Sequence, residues 1–85
     1  MNATLHIAGL PYSLTEVELR HFVERVAPVR AAKIVLDRTT GRSRGFGFVT
    51  LERPAGAERV RLELDGAELG GRRVKVDEAI ERGAR

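Results

Sequence analysis

Apolar positions along this chain switch from a period of two to a period between three and four and back again, and each switch marks an element. Thr4 to Ala8 alternates Leu5 and Ile7 against His6 and Ala8 until Gly9-Leu10-Pro11 interrupts it, so the spacing predicts a first strand with Leu5 and Ile7 inward and His6 outward. A helix follows. Thr15 and Glu18 are spaced as a capping box, Leu14 and Leu19 as a hydrophobic staple, and Leu19, Phe22, Val23 and Val26 form one apolar stripe before a stop at Pro28. Alternation resumes from Val29 to Asp37, with Ala32, Ile34 and Leu36 inward and Lys33, Val35 and Asp37 outward. The polar, glycine-containing stretch Arg38 to Ser43 reads as a loop joining antiparallel strands. A third strand, Arg44 to Leu51, comes next. Pro54 suits the first turn of a second helix whose thin stripe, Ala57, Val60 and Leu64, ends at Asp65-Gly66. Gly56 weakens that helix by about 1 kcal/mol relative to Ala, and Leu62, opposite Val60, is expected on its exposed side. After a turn at Glu68 to Gly71, Arg72 to Asp77 alternates Val74 and Val76 inward with Arg73, Lys75 and Asp77 outward, a last strand. The order strand, helix, strand, strand, helix, strand gives an α+β domain. Its antiparallel sheet has both helices on one side, and the other face stays open.

The third strand carries the unusual chemistry. Alternation puts Gly45, Gly47, Val49 and Leu51 on one face and Arg44, Phe46, Phe48 and Thr50 on the other. The first set suits a core. Two large aromatics flanked by a cation and a hydroxyl make a poor core face but a good platform for flat, negatively charged ligands, and unpaired nucleotides fit that description. His6 on the neighbouring strand faces the same way. An exposed histidine is commonly just a surface residue, but an imidazole can also stack on a base, with less area than a phenyl ring.

Composition narrows the classes. The 85 residues make one small domain with a modest core, and they hold no cysteine, which removes disulfides and thiolate metal sites. His6 and His21 are too few to build a zinc site alone, and no cofactor is implied. No apolar run approaches a membrane span, and Met1 to Ala8 is too short for a secretion signal, so a cytoplasmic protein is expected. Net charge is +3, with 15 Lys and Arg against 12 Asp and Glu. Thirteen of those cations are Arg, which tilts the chain toward polyanions or simply reflects a solvated, arginine-rich surface. Position matters more than the total: Arg38, Arg42 and Arg44 lead straight into the Phe46-Gly47-Phe48 strand, with Lys33 before them.

Arg44-Gly45-Phe46-Gly47-Phe48-Val49-Thr50-Leu51 resembles the first signature of the RNA recognition motif, differing only at Leu51, where an aromatic is usual. Leu5-His6-Ile7-Ala8-Gly9-Leu10 is similar to the second signature, with His6 in place of Phe or Tyr and Gly9 where Asn is frequent. With runs such as LPYS, DRTTGRSRGFGFV and LGGRRVKV, the likeness is to small one-motif bacterial RNA-binding proteins and to the module of glycine-rich RNA-binding proteins. It covers residues 1–79 as one motif, leaving 80–85 as a short tail, and implies a ferredoxin-like βαββαβ sandwich.

The resemblance implies a single-stranded RNA-binding protein, without enzymatic activity, acting as a monomer and taking single-stranded DNA as an alternative ligand. His6 and Phe48 would each stack a base and Phe46 would pack against sugars. Arg42 and Arg44 would meet phosphates, with Arg38 ranked lower because Asp37 beside it can neutralise it. Lys33, Arg73, Lys75 and Asp77 would supply contacts to base edges, joined by tail residues Glu78, Ala79 or Ile80. Some relatives with altered signature aromatics bind proteins instead, and His6 keeps a protein-interaction module open as the alternative. Acyl-phosphate cleavage, seen in small domains of this topology, would need an anion-cradling loop after the first strand, where Gly9 to Ser13 offers no cation.

Overall fold

The computed structural model describes residues 3–79. Ile80 and the rest of the tail lie outside the described residues. The alternating segments form β1 (Thr4–Ala8), β2 (Val29–Leu36), β3 (Ser43–Leu51) and, late in the chain, β4 (Glu68–Leu69), β5 (Arg72–Arg73) and β6 (Lys75–Glu78); the helices are α1 (Glu16–Glu24) and α2 (Ala57–Leu64). One antiparallel sheet has the order β2-β3-β1-β6, and β4 and β5 make a separate small hairpin. The ferredoxin-like arrangement is therefore present.

α1 starts as its sequence demands. Thr15 Oγ1 accepts from the Glu18 amide at 3.1 Å, Glu18 Oε1 accepts from the Thr15 amide at 2.9 Å, and Leu14 packs against the core that contains Leu19. It ends at Glu24, well before Pro28, because the Val26 and Ala27 amides both turn back onto the Val23 carbonyl. Leu19, Phe22 and Val23 are buried, while Val26 lies past the helix and is only partly covered. The second helix opens with a single 3-10 turn, Pro54–Gly56, before α2 buries Ala57, Val60 and Leu64. Gly56 is more than a weak helix former: a Cβ there would stand 3.1 Å from that of Ala27, so its bareness lets the two helical segments approach.

These stripes lie on Leu5, Ile7, Val49, Leu51 and Val76, all 2 % exposed or less, so both helices cover one face of the sheet. Leu51 is core, which explains why a leucine serves where the first signature usually has an aromatic.

Two expectations need correction. β2 does not alternate cleanly: its register against β3 shifts between Val29 and Ala31 and again between Ile34 and Leu36. Val29 is buried, and Leu36, expected in the core, is 56 % exposed because the second irregularity turns the end of the strand outward. The last strand is two. Arg72–Arg73 pairs back onto Glu68–Leu69 around the Gly70-Gly71 turn, whereas Lys75–Glu78 pairs with β1.

Both sheet edges are closed by carboxylates. Glu16 Oε2 accepts from the Ile34 amide at 3.2 Å on the β2 edge, and Asp65 Oδ1 accepts from the Val76 amide at 3.0 Å on the β6 edge. An unpaired strand amide invites pairing with another chain, and these bonds remove one at each side.

Candidate nucleic-acid interface

The face opposite the helices is built by register. Lys33 pairs with Phe48, Phe48 with His6 and His6 with Asp77, a row of four side chains running across all four strands. Beside it, Phe46 pairs with Ala8 and Ala8 with Lys75. A third row begins with Thr4 and Thr50, whose hydroxyl oxygens stand 3.2 Å apart. The small Ala8 leaves room between Phe46 and Lys75, so the rings are not crowded by the strand beneath.

His6, Phe46 and Phe48 form one cluster. The His6 ring centre lies 5.2 Å from that of Phe46 and 5.3 Å from that of Phe48, and the two phenyl rings are 6.3 Å apart at an interplanar angle of 84°. These are tilted and edge-on contacts that hold the rings against each other. All three are half-buried, and the buried helix residues all belong to the other face.

Arg44 Cζ lies 5.6 Å from the centre of Phe46, so its guanidinium rides over that ring. Arg42 is exposed in the loop before β3. That loop is ordered by its own backbone: the Asp37 amide donates to the Arg42 carbonyl at 2.6 Å and the Gly41 amide to the Asp37 carbonyl at 2.8 Å. Asp37 does not neutralise Arg38 in the way expected. Its Oδ1 accepts from the Thr39 and Thr40 amides at 2.8 and 2.9 Å. Hydrogen bonds from Thr40 first and Thr39 second hold its carboxyl below the usual aspartate value, with a smaller contribution from the Arg44 charge.

Lys33, Lys75 and Asp77 are exposed on the open face, in reach of whatever lies on the rings. Arg73 is not brought to them. It belongs to the β4–β5 hairpin, and its guanidinium donates to the Gly66 carbonyl at 3.1 Å. At the end of β6, Glu78 pairs with Leu5 and so falls on the helix-side alternation, while the Ala79 amide donates to the Thr4 carbonyl at 3.0 Å. A groove of about 480 Å³ adjoins Phe48, walled by Ile34, Val35 and Leu36 with Lys33 and Glu16 at its rim. Leu36, expected inward from alternation, is one of its lining residues. Among the described residues no cluster of His, Cys, Asp or Glu has metal-binding geometry, and no helix is long and apolar enough to cross a membrane.

The RNA recognition motif family model matches residues 5–75. Glycine-rich RNA-binding protein 5, mitochondrial, of Arabidopsis thaliana is 42% identical over 83 residues, 98% of this chain and 28% of that protein. The chain spans between about a quarter and three-fifths of the length of such curated plant relatives. The crystal structure of RNA Binding Protein PG1 superposes with a TM-score of 0.87 at 39% identity, covering 94% of this chain and 96% of that one. An SXL-lethal protein/RNA complex also reaches 0.87, at 28% identity over 95% of this chain and 48% of that one. The mitochondrial name of the plant relative overturns the cytoplasmic expectation. That expectation rested on the lack of a membrane-length apolar run and on Met1 to Ala8 being too short for a secretion signal, and neither separates the cytoplasm from an organelle interior. Proteins of this kind generally act by binding rather than by turnover. With the motif matched over most of its length and the two signatures side by side on the uncovered face, the chain belongs to the RNA recognition motif family.

Proposed function

We propose that the chain binds single-stranded RNA on the open face of its sheet. The observation that carries this reading is the ring cluster of His6, Phe46 and Phe48, set in register across β1 and β3 and left uncovered by either helix. His6 and Phe48 each take a base and Phe46 lies against the sugars between them. Stacking contributes roughly 1 to 3 kcal/mol per base and discriminates little among bases. Lys33, Lys75 and Asp77 flank the rings and select by contacts to base edges. Arg42 and Arg44 meet phosphates, and each such contact steepens the salt dependence by about 0.7 on a single strand. Arg73, held by Gly66, contributes at the margin. Residues 1–79 act as one binding module. It works as a monomer, without a cofactor and without catalysis.

A fluorescein-labelled single-stranded RNA of randomised sequence, followed by anisotropy, tests the reading. Phe48→Ala weakens binding roughly 5- to 150-fold with the fold intact by circular dichroism, and annealing the RNA to its complement weakens it for the parent. Parent-like binding by a folded Phe48→Ala variant would refute the stacking role and favour a protein partner for this face.

A further inference from the structure

We propose that Tyr12 and Arg72 form an additional nucleotide site, one step beyond Phe46 at the end of the sheet, a proposal that rests on the RNA-binding reading above. Tyr12 is 66 % exposed. Among the described residues the other large apolar side chains exposed to this degree, Val17, Leu36 and Leu62, are aliphatic, whereas Tyr12 offers a flat ring with a cation beside it: Arg72 Cζ is 5.6 Å from the ring centre. Phe46 and Arg44 make the same pairing at the same distance. A ring with a guanidinium over it matches the two parts of a nucleotide, a flat base and a phosphate, and here the pair occurs twice in succession.

The two pairs are neighbours. The Tyr12 ring edge rests on Gly45, the residue before Phe46; a Cβ on Gly45 would lie 3.2 Å from Tyr12 Cε1. Gly45 has φ +84, in the left-handed region that a side chain would strain, so the glycine of the signature both shapes the start of β3 and makes the seat for this ring. The Leu10 amide donates to the Gly45 carbonyl at 2.9 Å, tying the loop that carries Tyr12 to β3. From the other side the β4–β5 hairpin clamps the same loop, since a Cβ on Gly70 would come within 2.8 Å of Pro11 Cγ. A ring held this way needs little ordering when a base arrives. Charge agrees with position: β1 and β2 end, and β3 and β6 begin, at the side of the sheet where Arg42, Arg44 and Arg72 gather. A strand leaving Phe46 past Arg44 therefore runs toward Tyr12 and Arg72.

The test is a length series of randomised single-stranded RNA, from three to eight nucleotides, with the full chain and the variants Tyr12→Ala, Tyr12→Phe, Arg72→Gln and Phe48→Ala. For the parent, affinity climbs with length until every site is filled. Tyr12→Ala is expected to match the parent on the shortest RNA and to lose about 5- to 150-fold on the longest, so that its plateau comes one nucleotide earlier. Tyr12→Phe retains the parent profile, and Arg72→Gln lowers the salt slope on long RNA by about 0.7. Unchanged affinity at every length, or the same loss at every length, would overturn the additional site. Phe48→Ala separates the two readings: if it weakens binding at all lengths while Tyr12→Ala changes nothing, the platform stands and only this site fails. If Phe48→Ala changes nothing, the RNA-binding reading itself is lost.

Discussion

Gly47→Ala adds one methyl group where the sheet has no room for it. A Cβ there would run into the Lys33 carbonyl oxygen and lie 3.2 Å from Ile34 Cα. Both obstacles are backbone of β2, where Ile34 pairs with Gly47 and Lys33 with the adjacent Phe48, so no side-chain rotation relieves them. β2 is an edge strand and its one accommodation is to move outward, which stretches the ladder on both sides of Ile34 and uncovers Ile34 and Val29. Overpacking of this kind costs about 1 to 3 kcal/mol. The stretched ladder adds about one hydrogen bond's worth, roughly 1 kcal/mol, for a total of roughly 2 to 4 kcal/mol. For a chain of this length, total stability is on the order of 4 to 13 kcal/mol, so the loss is a large share of it. At roughly 4 to 8 °C per kcal/mol the melting temperature falls by about 10 to 30 °C. Urea unfolding followed by far-ultraviolet circular dichroism reads this as a lower midpoint with an unchanged slope. Gly41→Ala is the comparison: with φ +75 and nothing within 4 Å, it suffers left-handed backbone strain alone, about 1 to 2 kcal/mol. If Gly47→Ala were as stable as the parent, or less affected than Gly41→Ala, the steric argument would be refuted.

Thr15→Ala removes the hydroxyl that caps α1 and is expected to lower stability by about 0.5 to 2 kcal/mol in the same urea assay, with Thr15→Ser close to the parent. The Asp37 carboxyl sits below its ordinary value in the folded chain, so the order it gives the loop is present above the unfolded-state value and is lost as pH falls through the lowered one. Amide resonances of Thr39 and Thr40 should therefore move on acidification with a midpoint below that of an ordinary aspartate, whereas a midpoint at or above the ordinary value would contradict the assignment. Asp65→Ala frees the Val76 amide on the β6 edge; faster hydrogen exchange at Val76 is expected, and exchange as slow as in the parent would show that the carboxylate does not guard that edge.

Most of the fold was legible because each element carries its own local signal. The Thr15 to Glu18 box, the Leu19, Phe22, Val23 stripe and the alternation around Leu5 and Ile7 all depend on residues a few places apart, and the structure uses them as spaced. What escaped depends on partners far away in sequence. Leu36 faces solvent because β2 and β3 slip against each other, and Arg73 leaves the platform because the Gly70-Gly71 turn pairs it with Glu68. Asp65 read only as part of a helix stop and Glu16 carried no signal of its own, and their bonds to the sheet edges become visible only once Ile34 and Val76 are brought beside them. The ring cluster itself was legible from parity, since His6, Phe46 and Phe48 share one alternation. Tyr12 was not, because a loop residue has no parity, and only the approach to Gly45 and Arg72 gives it a place.

The central claim is that unpaired bases lie on the uncovered rings, and a nuclear magnetic resonance titration of the chain with short single-stranded RNA tests it most directly. Ring proton signals of His6, Phe46 and Phe48 should shift together and show contacts to base and sugar protons, while those of Phe22, beneath the helices, stay in place. RNA-induced shifts confined to the helix side, with the three open-face rings unmoved at saturation, would contradict it.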